Sequence, residues 1–213
     1  VLGGADSQAC ALGAGVVQPG PVSEMAGSST CLNAAVAVPL PRQEITHYPH
    51  VVRGMYTTET GINTTGAAVS WLAGLVYGGR SGRMRPADWA RLDADAAGVA
   101  PGAGGVLALP VLGDGERDDA ALRGAFTGLS LRHGRRELAR AMLEGSALEM
   151  GLHLEILRDA GVPVTELRVS GGDARLASWN QVKADVLGIP VTTIAGDAAV
   201  TGVAMLAGIG AGV

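Results

Sequence analysis

Residues 124–144, GAFTGLSLRHGRRELARAMLE, are the stretch whose reading decides the fold. Gly124 to Gly128 reads as a small-residue turn around Phe126. Beyond it, Arg135 opens the longest periodic segment of the chain. Leu138, Ala141, Met142, Gly145, Leu148, Leu152 and Ile156 recur at spacings of three and four. That pattern predicts one helix over 135–160 with these residues on a single face. Gly161 and Pro163 end it.

Working outward, turn signals divide the rest of the chain. Towards the N-terminus, 22–25, 32–38 and 51–58 are short and apolar or β-branched, and read as consecutive antiparallel strands. Thr64-Thr65-Gly66 opens an apolar helix through Trp71 to about Tyr77, and 78–85 is a loop. Pro86 starts a second helix toward Ala97, with proline in its first turn. Val106 to Val111 is a short strand. Towards the C-terminus, 166–170 is a strand that stops at Gly171-Gly172. A helix over 178–187, a strand over 191–194 and a last helix from Ala198 to about Ile209 follow. Three hairpin-linked strands followed by strand–helix units predict an α/β domain, a mixed central sheet flanked by helices. That order matches the ribonuclease-H-like domain.

The composition narrows the class. A chain of 213 residues, 47% apolar, has ample material for a core. A net charge of −4 and a pI near 5.5 argue against a nucleic-acid surface. Lys183 is the only lysine among 16 basic residues. Cys10 and Cys31 make no CxxC spacing and suit a reducing, cytoplasmic setting. The sixteen uncharged residues from Ala198 to Val213 fall short of the roughly 20 needed to cross a bilayer. They read as a helix buried against a sheet.

Three turns could carry chemistry. In GGADSQACALGAG, Asp6 follows Gly3-Gly4, where backbone can approach a ligand. Its carboxylate could accept a hydroxyl proton, or it could simply cap a helix. In EMAGSST, Gly27-Ser28-Ser29 lies between two strands, where free N–H groups and hydroxyls can hold phosphate oxygens. An ordinary polar hairpin reads the same way. In SGGDARLASWNQVKAD, Gly171, Gly172, Asp173 and Ala174 form a strand-to-helix turn on which a ring or phosphate could pack. It lacks the GxGxxG pattern of dinucleotide sites. His47 and His50 bracket Tyr48-Pro49, and two such residues without a third ligand are poor evidence for a metal.

The chain resembles the FGGY carbohydrate kinases. Gly124, Phe126, Gly128 and Leu129, seven spacers, then Glu137-Leu138, Ala141, Met142, Leu143 and Glu144 fit that family's signature. The resemblance covers the chain from Val1 to Val213 and is close in style to the xylulokinase-like members. It implies a ribonuclease-H-like domain of the actin-like ATPase superfamily and transfer of phosphoryl from ATP, with Mg²⁺, to a sugar or polyol hydroxyl. Asp6 occupies the family's catalytic-base position in the G-G-x-D element, with Ser7 beside it at the substrate. Gly27, Ser28 and Ser29 correspond to the G-T-S turn near the ATP phosphates. Gly171, Gly172, Asp173 and Ala174 correspond to the turn against the adenine, with Asp173 in place of a third glycine. Gly66 and Ser70 start a helix beside the nucleotide. Gly115-Glu116-Arg117 resembles a G-E-R element that precedes the signature.

By the same resemblance, residues 1–20 end the N-terminal kinase domain and carry the catalytic aspartate, and 21–213 form the C-terminal domain without its last helix. The partners implied are ATP or ADP, a sugar or polyol, and the missing N-terminal domain; a homodimer stands as an open expectation. An actin- or chaperone-type nucleotide module without sugar kinase activity is the alternative.

Overall fold

The computed structural model describes residues 4–78, 84–113, 115 and 119–212. Val1 to Gly3, part of the 78–85 loop, and Glu116-Arg117 lie outside them. A six-stranded mixed sheet is the frame. Its strands are β1 (Pro21–Ala26), β2 (Thr30–Val36), β3 (Thr46–Pro49), β4 (Tyr56–Ile62), β7 (Glu166–Gly171) and β8 (Val191–Thr193), in the order β3-β4-β2-β1-β7-β8. The β1–β2, β2–β4 and β3–β4 pairs are antiparallel. The β1–β7 and β7–β8 pairs are parallel. The expected neighbours 166–170 and 191–194 thus share one sheet, joined by α5 (Ala177–Leu187).

Two details of the strand reading need correction. The segment 51–58 is not one strand: 51–54 is a turn, and the strand runs over 56–62. The half-exposed edge strand β3 precedes it and ends on Pro49, a residue tolerated only at such edges. Residues 125–127, expected to be turn, form β6 (Ala125–Thr127), which pairs with β5 (Leu107–Leu109) in a separate two-stranded sheet.

Helices cover both faces. α4 (Arg135–Asp159) and α5 pack on one, where Val22, Leu32, Ile62, Leu167 and Val169 of the sheet meet Met150, Leu154 and Leu157. α2 (Gly66–Val76) and α3 (Pro86–Ala97) extend this layer, burying Leu72 and Leu92 against Met142, Leu143 and Trp179. Ala141, Met142 and Gly145 of the expected stripe on α4 are buried, but its later part turns outward. Ala139, Leu143, Ala147, Met150 and Leu154 are buried, whereas Leu148 and Leu152 are 53% and 67% exposed. A helix wedged between a sheet and two other helices buries more than one stripe, so spacing alone does not select the inner face.

The other face carries α1 (Asp6–Gly13) and, outside it, α6 (Ala198–Ala211). α6 is not buried against the sheet. It crosses α1 at Gly13 and Gly202, where a Cβ on either glycine would strike a carbonyl of the other helix (Ala198 or Ala9). Only Ala198 and Gly202 of α6 are buried, and Val200, Val203 and Ile209 face outward. Small residues make the contact and large ones do not, the reverse of what hydropathy suggests. No described helix is long and apolar enough to cross a membrane.

The 124–144 stretch proves to be a brace. Glu137 Oε2 accepts the Gly134 N–H at 2.9 Å and closes the start of α4. Glu144 accepts the Gly102 N–H at 3.0 Å and the Arg140 Nε–H at 2.6 Å, tying α4 to the turn before β5. Both histidines of the 47–50 segment bond to carbonyls. Nε2 of His47 meets Leu40 O at 2.6 Å, and Nε2 of His50 meets Val16 O at 3.0 Å. Burial holds the His50 pKa below its ordinary value, and its Nδ1 accepts the Val52 N–H.

Candidate functional site

β1 and β7 run parallel and end side by side, with Ala26 opposite Gly171. Each then turns away, β1 into the hairpin 27–29 and β7 into the glycine turn 171–174. Gly171 has φ +109, and a Cβ there would strike the Ala26 carbonyl, so the junction requires glycine. The hairpin holds the start of α2: Ser28 O accepts the N–H groups of Thr65 and Ala67 at 3.2 and 3.0 Å. Thr65 does not cap with its side chain; its Oγ1 pairs with Thr30 Oγ1 at 2.7 Å. Two strand-end turns and a helix N-terminus therefore meet at one place, where ligands bind in α/β sheets.

A cavity of about 670 Å³ opens there, a volume suited to a small molecule. Ala26, Gly27 and Ser28 form one wall, and Gly66 and Ser70 of α2 another. Gly172 and Asp173 form the floor. The far wall is α3, through Trp89, Asp93 and Ala97, with Trp179 of α5 beside it. Asp93 also joins helix to helix, because its Oδ1 accepts the Ser178 N–H at 2.9 Å in the first turn of α5.

Beneath the floor lies a buried charge cluster. Lys183, with no exposed surface, donates to both oxygens of Glu24 at 2.7 and 2.9 Å and to Asp173 Oδ2 at 3.4 Å. Its Nζ also stands 4.6 Å from the Trp179 ring centre, within cation–π range. One ammonium faces two carboxylates. Burial is the main cause that pushes the Asp173 carboxyl up to about 7; Glu24 adds to it and Lys183 opposes it. Asn180 fixes the turn from behind by donating to the Asp173 and Ala174 carbonyls at 3.3 and 3.2 Å.

The residues expected at a site do not all meet. Gly27, Ser28, Gly66, Ser70, Gly172 and Asp173 line this one cavity. Ser29 is exposed at the hairpin tip, outside the lining. Gly171 and Ala174 border a second depression of about 600 Å³ with Thr193 and Asp197, and Gly172 and Arg175 border both. Asp6 and Ser7 line neither. Asp6 is exposed in the first turn of α1, one residue after the N-cap Ala5, and its Oδ1 accepts the Ser7 N–H at 2.9 Å.

The sequence reading missed the α3 wall. The signal was present: 86, 89–90, 93–94 and 97 recur at helical spacing, so Pro86, Trp89, Ala90, Asp93, Ala94 and Ala97 share a face. No residue type on that face announces chemistry. Among the described residues no group of three His, Cys, Asp or Glu could hold a metal ion.

Comparison with known proteins agrees with the fold. The model of the FGGY family of carbohydrate kinases, C-terminal domain, matches residues 23–211. An autoinducer-2 kinase from Escherichia coli is 30% identical over the whole chain, which spans 42% of that protein. A crystal structure of xylulose kinase from Rhodospirillum rubrum superposes with a TM-score of 0.88 at 37% identity, over 98% of this chain and 42% of that one. Plasmodium falciparum glycerol kinase with ADP shares the fold, with a TM-score of 0.77 at 20% identity over 96% of this chain and 41% of that one. The chain thus spans less than half the length of these relatives. With the signature at 124–144 and the mixed sheet in agreement with the family match, the chain belongs to the FGGY family of carbohydrate kinases, as its C-terminal domain.

Proposed function

We propose that the chain is the nucleotide-binding half of an ATP-dependent sugar or polyol kinase. The observation that carries this reading is the cavity between the 27–28 hairpin, the α2 N-terminus and the 172–173 floor. In this reading the phosphates lie against Gly27, Ser28 and Gly66, with Ser29 at the rim. The adenine extends past Ser70 toward Trp89 and the turn 171–174. Residues 1–20 belong to the segment joining this domain to an N-terminal lobe, and Asp6 faces the cleft between the two. The sugar lies in that cleft, beside Asp6 and Ser7.

The transfer moves the γ-phosphoryl group of ATP to a carbohydrate hydroxyl. Asp6 takes the hydroxyl proton as the new oxygen–phosphorus bond forms and ADP leaves. Mg²⁺ on the phosphate oxygens would offset their charge, and no ligand role is assigned to this chain's residues. Such catalysis is mostly positioning and electrostatics, so both lobes are required.

A panel of sugars and polyols offered with ATP to the longer, two-lobed protein tests the reading. ADP release with at least one of them is the expected result. ATP binding without turnover on any of them would instead favour the nucleotide module. The 213-residue chain alone is expected to bind nucleotide and to phosphorylate nothing.

A further inference from the structure

Asp173 sits in the turn between β7 and α5, and its surroundings give it a task. Its side chain is buried, yet it forms part of the cavity floor. Oδ2 is turned down to Lys183, at the long end of hydrogen-bond range. Oδ1 is turned the other way, 3.7 Å from where a Cβ on Gly66 would stand, at the first turn of α2. The charged groups around it are Glu24 from β1 and Lys183 from α5, with Asp93 of α3 and Arg175 further along the same cavity. Glu24 takes both short bonds from Lys183, so the lysine is already neutralised. An ionised Asp173 would therefore leave a net negative charge in the floor. That charge would lie under the α2 N-terminus, where an anion is otherwise favoured.

We infer that Asp173 is a specificity-determining residue that holds the nucleotide in its protonated form, its O–H donating to the phosphate oxygen nearest the adenine end, beside Gly66, so that the site takes up a proton as an anionic nucleotide binds. This rests on the nucleotide reading above. With no cation between them an ionised carboxylate repels the phosphate, whereas the carboxylic acid is both neutral and a donor. Burial beside Glu24 keeps the acid form within reach near neutral pH. Uncharged nucleosides gain nothing from this arrangement, so it selects for the phosphorylated ligand.

The test is calorimetric titration of ADP into the chain at about pH 6 and pH 8, for wild type and Asp173→Asn. If only the protonated form binds, wild-type affinity falls by about tenfold more than the variant's between those pH values. ADP's own protonation is common to both proteins and cancels in the comparison. Asparagine supplies a neutral donor, so the variant should bind at least as tightly as wild type at the higher pH. A measurement on the wild type alone guards against a misfolded variant. Repeating the titration in two buffers of different ionisation heat counts the protons taken up, and uptake beyond that of the ligand is expected. Parallel pH profiles, or no excess uptake, would overturn the role of Asp173 while leaving the nucleotide site intact. No ADP binding at either pH would overturn the nucleotide reading itself, and this inference with it.

Discussion

Asp6→Asn, made in the two-lobed kinase, is expected to lower turnover by about 10²- to 10⁴-fold, the usual cost of removing a general base. Nucleotide affinity and melting temperature should stay near wild type. Asp6 is exposed, and its bond from the Ser7 N–H, the one it makes among the described residues, can be accepted equally well by an asparagine oxygen. A merely structural Asp6 predicts a different outcome. Its carboxylate would then serve only the first turn of α1, where a negative charge contributes a few tenths of a kcal/mol. Turnover would fall by no more than a few-fold. Steady-state kinetics with a saturating sugar, read beside a thermal melt of the same sample, decides between the two. Turnover within a few-fold of wild type would remove Asp6 from the mechanism.

Lys183→Met is expected to be the most damaging single change to stability. It leaves Glu24 and Asp173 buried against each other with no countercharge. Breaking a buried ion pair from one side costs roughly 3 to 5 kcal/mol, and for a domain of this size that lowers the melting temperature by on the order of 10 °C. The methionine keeps most of the packing against Trp179, so the loss is electrostatic rather than a cavity. The triple variant Lys183→Met, Glu24→Gln, Asp173→Asn should recover much of that loss, since it removes the uncompensated charge as well as the ammonium. A triple variant no more stable than Lys183→Met would show that the lysine's packing, not its charge, holds this region.

The sheet was legible because strand ends are marked by glycine and proline and because βα units alternate cleanly from Glu166 onward. The first turn of β7 into α5 could be placed to within a residue for the same reason. The edge strand β3 escaped notice because its four residues, Thr46 to Pro49, alternate nothing and pair on one side only. The later part of the α4 face was misjudged because Leu148 and Leu152 fit the helical period yet are exposed. The α6 contact was hidden because glycine carries no hydropathy signal, although Gly13 and Gly202 alone let the two helices touch.

The site divides in the same way. The hairpin at 27–29 and the turn at 171–174 could be found as punctuation in the sequence, and their resemblance to kinase turns gave them a meaning. What joins them could not be seen. Glu24 and Lys183 are 159 positions apart, and each alone reads as an ordinary surface charge. The α3 wall is legible as a helical stripe only after the cavity shows which stripe matters.

The central claim is that this cavity holds the nucleotide, and diffraction from the chain crystallised with ADP tests it most directly. The account predicts density for the phosphates against Gly27, Ser28 and Gly66, with the base directed along α3 toward Trp89 and Asp93. ADP lodged instead in the depression beside Thr193 and Asp197, or a cavity that stays empty at saturating ADP, would contradict it.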